Sequence, residues 1–128
     1  MTEQEKKILF QAICESLSYG LKCTTKAYGW QGVYPICGCI GNKIILDCPK
    51  EVEGDDIWLI QNIVPYLRPL SSMTEEEKKQ YQTLTPIVEV VFEDDASRLI
   101  DWLISKHFDY RGLIPMGLAL PAPEGMYK

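Results

Sequence analysis

Residues 65–79 read Pro-Tyr-Leu-Arg-Pro-Leu-Ser-Ser-Met-Thr-Glu-Glu-Glu-Lys-Lys, and they separate two halves of different character. Both prolines remove a backbone donor and favour an extended conformation in the residue before them. Thr74 and Glu77 have the spacing of a capping box, which predicts that a helix begins there. The stretch is therefore predicted to be an extended connector whose apolar side chains pack against a sheet. We expect Arg68 to pair with an acidic cluster.

The connector is predicted to lie inside a single domain that spans residues 1–128. Residues 1–64 predict a helix followed by a small β-sheet. Residues 80–128 predict a mainly helical half with a C-terminal strap. Because neither half has enough apolar residues for a core of its own, 65–79 is expected to join parts of one unit.

The composition is that of an ordinary globular protein. The 128 residues are 46% hydrophobic and 24% charged, with a formal net charge of -5. Such an acidic balance argues against a general nucleic-acid binder, which usually carries a basic excess. The first residues are polar, unlike a signal peptide, and no apolar stretch approaches the length of a membrane span. We expect a cytoplasmic protein without membrane contact.

The N-terminal half predicts a helix and a β-hairpin. Residues 2–18 combine a capping box with helical apolar spacing. Residues 21–26 predict a short strand. Residues 33–40 and 43–48 predict two strands around Gly41-Asn42, which suits a two-residue hairpin turn.

The hairpin turn also predicts which residues of the two strands face each other. The expected pairs are Ile40 with Lys43, Cys39 with Ile44, and Cys37 with Leu46. One face of the hairpin would then be shared by Cys37, Cys39, Ile44, Leu46 and Cys48.

Three hairpin cysteines, Cys37, Cys39 and Cys48, form the sharpest candidate for chemistry. Zinc sites usually use Cys-x2-Cys spacing, which these residues lack. The five cysteines are odd in number and no secretion signal precedes them, so reduced thiols are favoured over disulfides. Burial in the core is the preferred interpretation, with a thiol or metal site as the alternative. No cofactor is expected.

The sequence after the connector's prolines predicts two helices, one at about 74–84 and one capped by Asp94 or Asp95. A strand is expected at 87–92. The second helix has one apolar face, formed by Ala96, Leu99, Ile100, Leu103, Ile104 and His107. Trp102 lies off this face and must pack against the tail or a partner. The tail, 108–128, is expected to form a helical turn near Leu113 and then an extended strap.

Aromatic and basic residues suggest two candidate surfaces. Tryptophan and tyrosine are enriched in protein interfaces. The sequence therefore predicts a candidate interaction surface formed by Trp30, Trp102, Tyr28 and Tyr34. The alternative is a face that binds single-stranded nucleic acid by stacking and charge, formed by Lys22, Lys26, Tyr28 and Trp30.

Catalytic motifs are not recognisable in the sequence. There is no phosphate-binding glycine loop, nucleophile elbow or metal-binding helix motif. His107 ends the apolar face of a helix, where a structural histidine is favoured over a catalytic base. We expect no catalytic residues and no enzymatic activity.

Two segments resemble a known group of proteins. They read VPYLRPLSSMTEEE at 64–77 and HFDYRGLIPMGLALPAPEGMYK at 107–128. Both are similar to segments of short, functionally uncharacterised proteins encoded by Bacteroides-type phages and prophages. The resemblance implies a mobile-element origin and a cytoplasmic setting, and it transfers no catalytic or binding residue.

Together these patterns predict an α+β protein. It would consist of an N-terminal helix, a small antiparallel sheet that could close into an SH3-like barrel, and a helical C-terminal half with an extended tail. The expected function is that of a small non-enzymatic protein that binds a protein partner or a second copy of itself. Single-stranded nucleic-acid binding and a thiol or metal site are the alternatives.

Overall fold

A computed structural model describes residues 1–26, 32–47, 57–84 and 93–127, with side chains in the last range described from residue 98 onward. This part of the chain is an α+β protein with three α-helices and a six-stranded, mostly antiparallel sheet. The helices are α1 (Glu3–Glu15), α2 (Glu75–Leu84) and α3 (Glu93–Ser105). The strands are β1 (Lys22–Thr25), β2 (Tyr34–Ile40), β3 (Lys43–Leu46), β4 (Ile57–Leu59), β5 (Ile63–Leu67) and β6 (Leu120–Pro121). The strand predicted at 87–92 and the predicted site residues Tyr28, Trp30 and Cys48 lie outside the described residues.

The six strands lie in the order β4-β3-β2-β1-β5-β6. All neighbours are antiparallel except β5 and β6, which run parallel. Among the described strands, β4 and β6 do not pair with each other, so the sheet is open with these two strands at its edges. This arrangement differs from the SH3-like barrel, which requires closure.

Helix α1 covers one face of the sheet. It begins at a capping box, as predicted, in which the Thr2 hydroxyl accepts from the Glu5 backbone N–H and the Glu5 carboxylate accepts from the Thr2 N–H, both at 3.1 Å. Leu9 and Ile13 are fully buried. They pack in a core with residues from the sheet and the tail, among them Leu21, Cys23, Ile36, Ile44, Leu46, Ile63 and Leu113.

The hairpin of β2 and β3 contains a β-bulge at Cys37 and Gly38. Gly41-Asn42 forms the turn, and the two pairs nearest to it are those predicted. The predicted pairing of Cys37 with Leu46 is wrong, because a β-bulge makes Ile36 the partner of Leu46. Cys37 is the extra residue and is exposed, whereas Cys39 faces the core side. The two cysteines therefore do not share a face.

The connector begins inside the sheet and does not lie over it as a strap. Pro65 is fully buried in β5, between β1 and β6. The Lys26 N–H donates to the Asn62 carbonyl at 3.0 Å. Along two antiparallel strands, pairs that exchange backbone hydrogen bonds alternate with pairs that do not. Counting from the hydrogen-bonded pair of Lys26 and Asn62, the pair of Cys23 and Pro65 is one that does not. The missing N–H of proline therefore removes no hydrogen bond to β1.

The second part of the connector is held by the ion pair between Arg68 and Glu77. Arg68 donates to both carboxylate oxygens of Glu77, at 2.8 and 2.6 Å, and its guanidinium lies 4.3 Å from the centre of the Phe108 ring. Glu77 also completes the predicted capping box with Thr74, at 3.0 and 3.1 Å. The pairing expected for Arg68 is thus made within the connector itself. Leu70, expected to pack against the sheet, is 46% exposed.

The two C-terminal helices differ in burial. Helix α2 has no buried residue, which agrees with its polar sequence. Helix α3 buries Leu103 and Ile104. Ile100, predicted to belong to the same apolar face, is 39% exposed, so the buried stripe is narrower than predicted.

The tail forms a turn and then an edge strand. The buried Asp109 carboxylate accepts hydrogen bonds from the backbone N–H groups of Leu113 and Ile114, at 2.8 and 2.9 Å. After this turn, β6 extends the sheet beside β5. The Tyr127 hydroxyl donates to the Tyr66 carbonyl at 2.7 Å. The predicted strap therefore belongs to the sheet through backbone pairing.

Candidate interaction surface

The outer face of β2, β3 and β4 carries a cluster of exposed aliphatic side chains. Ile40 pairs with Lys43, which pairs with Leu59, and Ile45 pairs with Ile57. Ile40 is 57% exposed, Ile57 46% and Leu59 44%, while Ile45 is half-buried. We call these five residues the outer face. Alternating residues of the same strands point to the opposite side and pack against the core.

The edge strand β4 adds backbone groups to the outer face. The pair that flanks the two-residue turn, Ile40 and Lys43, exchanges backbone hydrogen bonds, so the next pair does not. Ile44 therefore directs its backbone groups away from β2 and toward Trp58. Ile57 then directs its N–H and C=O, and Leu59 its N–H, to the side of β4 that faces away from β3, while the Leu59 carbonyl, at the N-cap of the short helix Ile60–Asn62, accepts within that helix. The same two residues thus present aliphatic side chains on the outer face and backbone groups at the edge.

The size of the outer face limits what can bind it. The exposed side chains leave on the order of 300 Å² of apolar surface, which matches the largest patch of an ordinary monomer but falls below the roughly 800 Å² per partner of a standard interface. The one charge in the outer face is that of Lys43. The surface therefore suits a short apolar segment, and Lys43 favours an acidic residue in that segment.

Two thiols meet on the opposite side of β2. The Sγ atoms of Cys14, in the last turn of α1, and Cys39 are 3.4 Å apart. Burial, and then the contact with Cys14, raises the pKa of the Cys39 thiol to about 12. Within the described ranges, no three His, Cys, Asp or Glu side chains converge in a way that could hold a metal ion. The described members of the predicted cysteine site, Cys37 and Cys39, face opposite sides of the sheet.

A groove of about 730 Å³ lies between the connector and the tail. Most of its polar side chains already bind protein atoms. Arg68 binds Glu77, the Ser72 hydroxyl donates to the Pro69 carbonyl, and the Ser105 hydroxyl donates to the Trp102 carbonyl. These bonds hold the walls of the groove together, so few polar groups remain for a ligand.

His107 lies at this groove but is committed to the fold. Its ring stacks on Tyr127 with a centroid distance of 3.7 Å, and its Nε2 lies 2.7 Å from the Tyr19 carbonyl oxygen. Since a carbonyl only accepts, Nε2 carries the proton and donates it. Burial lowers the pKa of His107 below its ordinary value, and the positive charges of Arg68 and Lys22 act in the same direction. The side chain is placed as a neutral structural donor.

The described members of the predicted interaction and nucleic-acid surfaces lie apart from one another. Tyr34 is 8% exposed and belongs to the core, which corrects its place on a surface. Trp102 is half-buried and packs against Tyr81 and Phe108, with ring centroids 6.4 and 5.7 Å apart. The Lys22 ammonium donates to the Met126 carbonyl at 3.3 Å, in contact with the tail. Lys26 is exposed.

The outer face was not predicted as a site, although the sequence contains part of the signal. A half-buried strand alternates inward and outward residues. Ile57-Trp58-Leu59 fits this pattern if Trp58 points inward and its two neighbours point outward. Because all three residues are apolar, the sequence alone places all of them in the core. Only the pairing of Leu59 with Lys43 shows which side is outside.

Comparisons with known proteins add no relative. Neither a scan against protein-family models nor searches of curated proteins and of solved structures found a match. None of the helices in the described ranges is long and apolar enough to cross a membrane.

Proposed function

We propose that this chain is a small, non-enzymatic interaction protein that binds an extended apolar segment of a protein partner at the outer face of β2, β3 and β4. The observation that carries the proposal is the cluster of exposed aliphatic side chains beside β4, an edge strand of the sheet that the described residues form. We further propose a mobile-element origin and a cytoplasmic setting, which rest on the resemblance of residues 64–77 and 107–128 to phage and prophage proteins.

An extended segment fits this surface better than a second copy of the chain. The apolar area is too small for a stable dimer on its own, and the net charge of -5 makes two copies repel each other. A strand added beside β4 would bind the outward backbone groups of Ile57 and Leu59, and its alternate side chains would reach the aliphatic cluster. An acidic residue in the segment would complement Lys43.

The absence of a catalytic role is supported by how the titratable groups are used. His107 is bound to the Tyr19 carbonyl and stacked on Tyr127. Glu77 is bound by Arg68, which lowers the pKa of Glu77 to about 2. Both groups are occupied in holding the connector and the tail, which favours a structural role for them.

Nucleic-acid binding is less well supported. Of the predicted basic face, Lys22 contacts the tail, and the chain as a whole is acidic. Binding of single strands at low salt would favour this alternative.

Selection from a random peptide library against the immobilised protein tests the proposal. Selected peptides should alternate apolar and polar residues and include an acidic residue. Replacing Ile57 and Leu59 together by serine should weaken binding roughly 100-fold, since each removed side chain contributes about 1.5 kcal/mol. Lys43→Glu should weaken the binding of the same peptides, because the new carboxylate repels their acidic residue.

Leu70→Ser provides the matched control, because Leu70 has the same 46% exposure as Ile57 but lies in the connector. The affinity of the Leu70→Ser variant for the selected peptides should equal that of the wild type. Circular dichroism should show that all variants fold. The proposal is overturned if selection yields no peptide that depends on the outer face, or if sedimentation shows that this face forms a dimer of the chain.

A further inference from the structure

We infer that Cys14 and Cys39 form a reversible disulfide when the protein meets a low-molecular-weight disulfide. The two thiols come from separate elements, the last turn of α1 and the strand β2, and their sulfurs are 3.4 Å apart. A disulfide has a sulfur–sulfur distance of about 2.05 Å, so the sulfurs must approach by little more than 1 Å. Both residues are half-buried, so the pair borders solvent without being sealed in the core.

The surroundings of the pair assign the order of the two steps. Burial raises the pKa of Cys39 to about 12, which keeps its thiolate scarce at neutral pH. The first attack is therefore assigned to Cys14, the other sulfur of the pair. The hydrogen bond between the two sulfurs already places Cys39 beside the atom that it must attack in the second step.

The exchange balances with one molecule of the small disulfide. The Cys14 thiolate attacks one sulfur of that molecule, which leaves as a thiolate and yields a mixed disulfide on Cys14. The departing thiolate takes the Cys39 proton, and the Cys39 sulfur attacks the Cys14 sulfur, expelling the second small thiolate, which takes up from water the proton that Cys14 released. The two protein thiols are oxidised by two electrons, and the small disulfide is reduced to two thiols.

The disulfide ties α1 to the hairpin. It closes a loop of 25 residues that contains β1. Closing a loop of this size restricts the unfolded chain, so the oxidised protein should melt at a temperature higher by on the order of 10 °C. The state of the pair would therefore set the stability of this part of the protein.

Equilibration of the full chain with mixtures of oxidised and reduced glutathione tests the inference. Peptide mapping without reduction should identify one new bond, between Cys14 and Cys39, and a reducing agent should reverse the rise in melting temperature. Cys14→Ser and Cys39→Ser should abolish both effects. Cys37→Ser, which removes the exposed thiol of the same strand, should leave both unchanged.

The order of attack has its own readout. Cys39→Ala should stop at a stable glutathione adduct on Cys14, detected as an increase in mass. Cys14→Ala should form no adduct at Cys39 over the same time. The inference is wrong if the wild-type protein stops at the adduct, if the bond forms between other cysteines, or if no bond forms at any glutathione ratio.

Discussion

Neutralising Glu77 should destabilise the protein far more than neutralising a neighbouring glutamate of the same helix. Glu77 accepts two hydrogen bonds from Arg68, at 2.8 and 2.6 Å, and one from the Thr74 backbone N–H at 3.0 Å. The side chains of Arg68 and Glu77 are 20% and 12% exposed, so water screens the pair only in part. Glu77→Gln keeps an oxygen for Thr74 but removes the charge that Arg68 requires.

The expected loss is about 2 kcal/mol in the free energy of unfolding, since hydrogen bonds to charged groups contribute about 1.5–3 kcal/mol and part of the bonding survives in the amide. Urea unfolding followed by circular dichroism measures it. For a chain of this size the melting temperature should fall by about 8 °C.

Glu75→Gln is the matched control. Glu75 pairs with Lys78 at 3.2 Å, but these side chains are 86% and 53% exposed. The same substitution in the same helical turn should cost no more than about 0.5 kcal/mol, which includes the lost interaction of the charge with the helix dipole. Equal losses of stability in the two variants would contradict a special contribution of the Arg68–Glu77 pair.

Acid should remove the difference between wild type and Glu77→Gln. Arg68 lowers the pKa of Glu77 from an ordinary 4.5 to about 2. A lowered pKa in the folded state means that the unfolded chain binds the proton first, so the contribution is complete above pH 4.5 and declines as the pH falls toward 2. The two unfolding curves should approach each other in this range.

Three further predictions concern His107 and the tail. Asp109→Ala should cost about 3 kcal/mol in urea unfolding, because it leaves two N–H groups, one of them the buried donor of Leu113, without their acceptor. Lowering the pH below the ordinary histidine value of 6.5 should reduce stability, since the unfolded state binds the proton that the buried His107 resists, and His107→Gln should remove this part of the pH dependence in urea titrations. Tyr127→Phe removes the hydroxyl that donates to the Tyr66 carbonyl, so backbone amides at β6 should exchange with solvent about tenfold faster.

Local signals in the sequence were sufficient for the helix starts and the hairpin turn. The capping boxes at Thr2 and Thr74 need only the residues three positions later, and Gly41-Asn42 needs only its own backbone preferences. Each of these predictions depends on contacts within a few residues. The structure confirms them for that reason.

Long-range contacts account for what the sequence could not show. The strand that contains Pro65 looks unsuited to the interior of a sheet until its pairing with Cys23 is known. Trp102 was correctly placed off the apolar face, but its contact with Tyr81 comes from another helix. Both depend on residues distant in the chain. The bulge at Cys37 is a local feature of the hairpin, and Gly38 beside it is the kind of strand residue that often marks a bulge.

The candidate surface depends on the same kind of information. Exposed Ile57 and Leu59 look like core residues in the sequence, and only the pairing of β4 with β3 turns them outward. Conversely, Tyr34 looks like a surface aromatic and is buried, because its alternation follows the inner side of β2. Hydrophobicity alone does not separate the two cases.

Nuclear magnetic resonance with a peptide selected on the outer face shows whether an extended segment binds beside β4. Titration of the peptide into isotope-labelled protein should shift the backbone amides of Ile40, Ile57 and Leu59, and the amides of Ile57 and Leu59 should become protected from exchange as the added strand pairs with β4. The amides of Leu70 and Ile100, which are also exposed, should not move. Shifts confined to the groove between connector and tail, with β4 unchanged, would contradict the account.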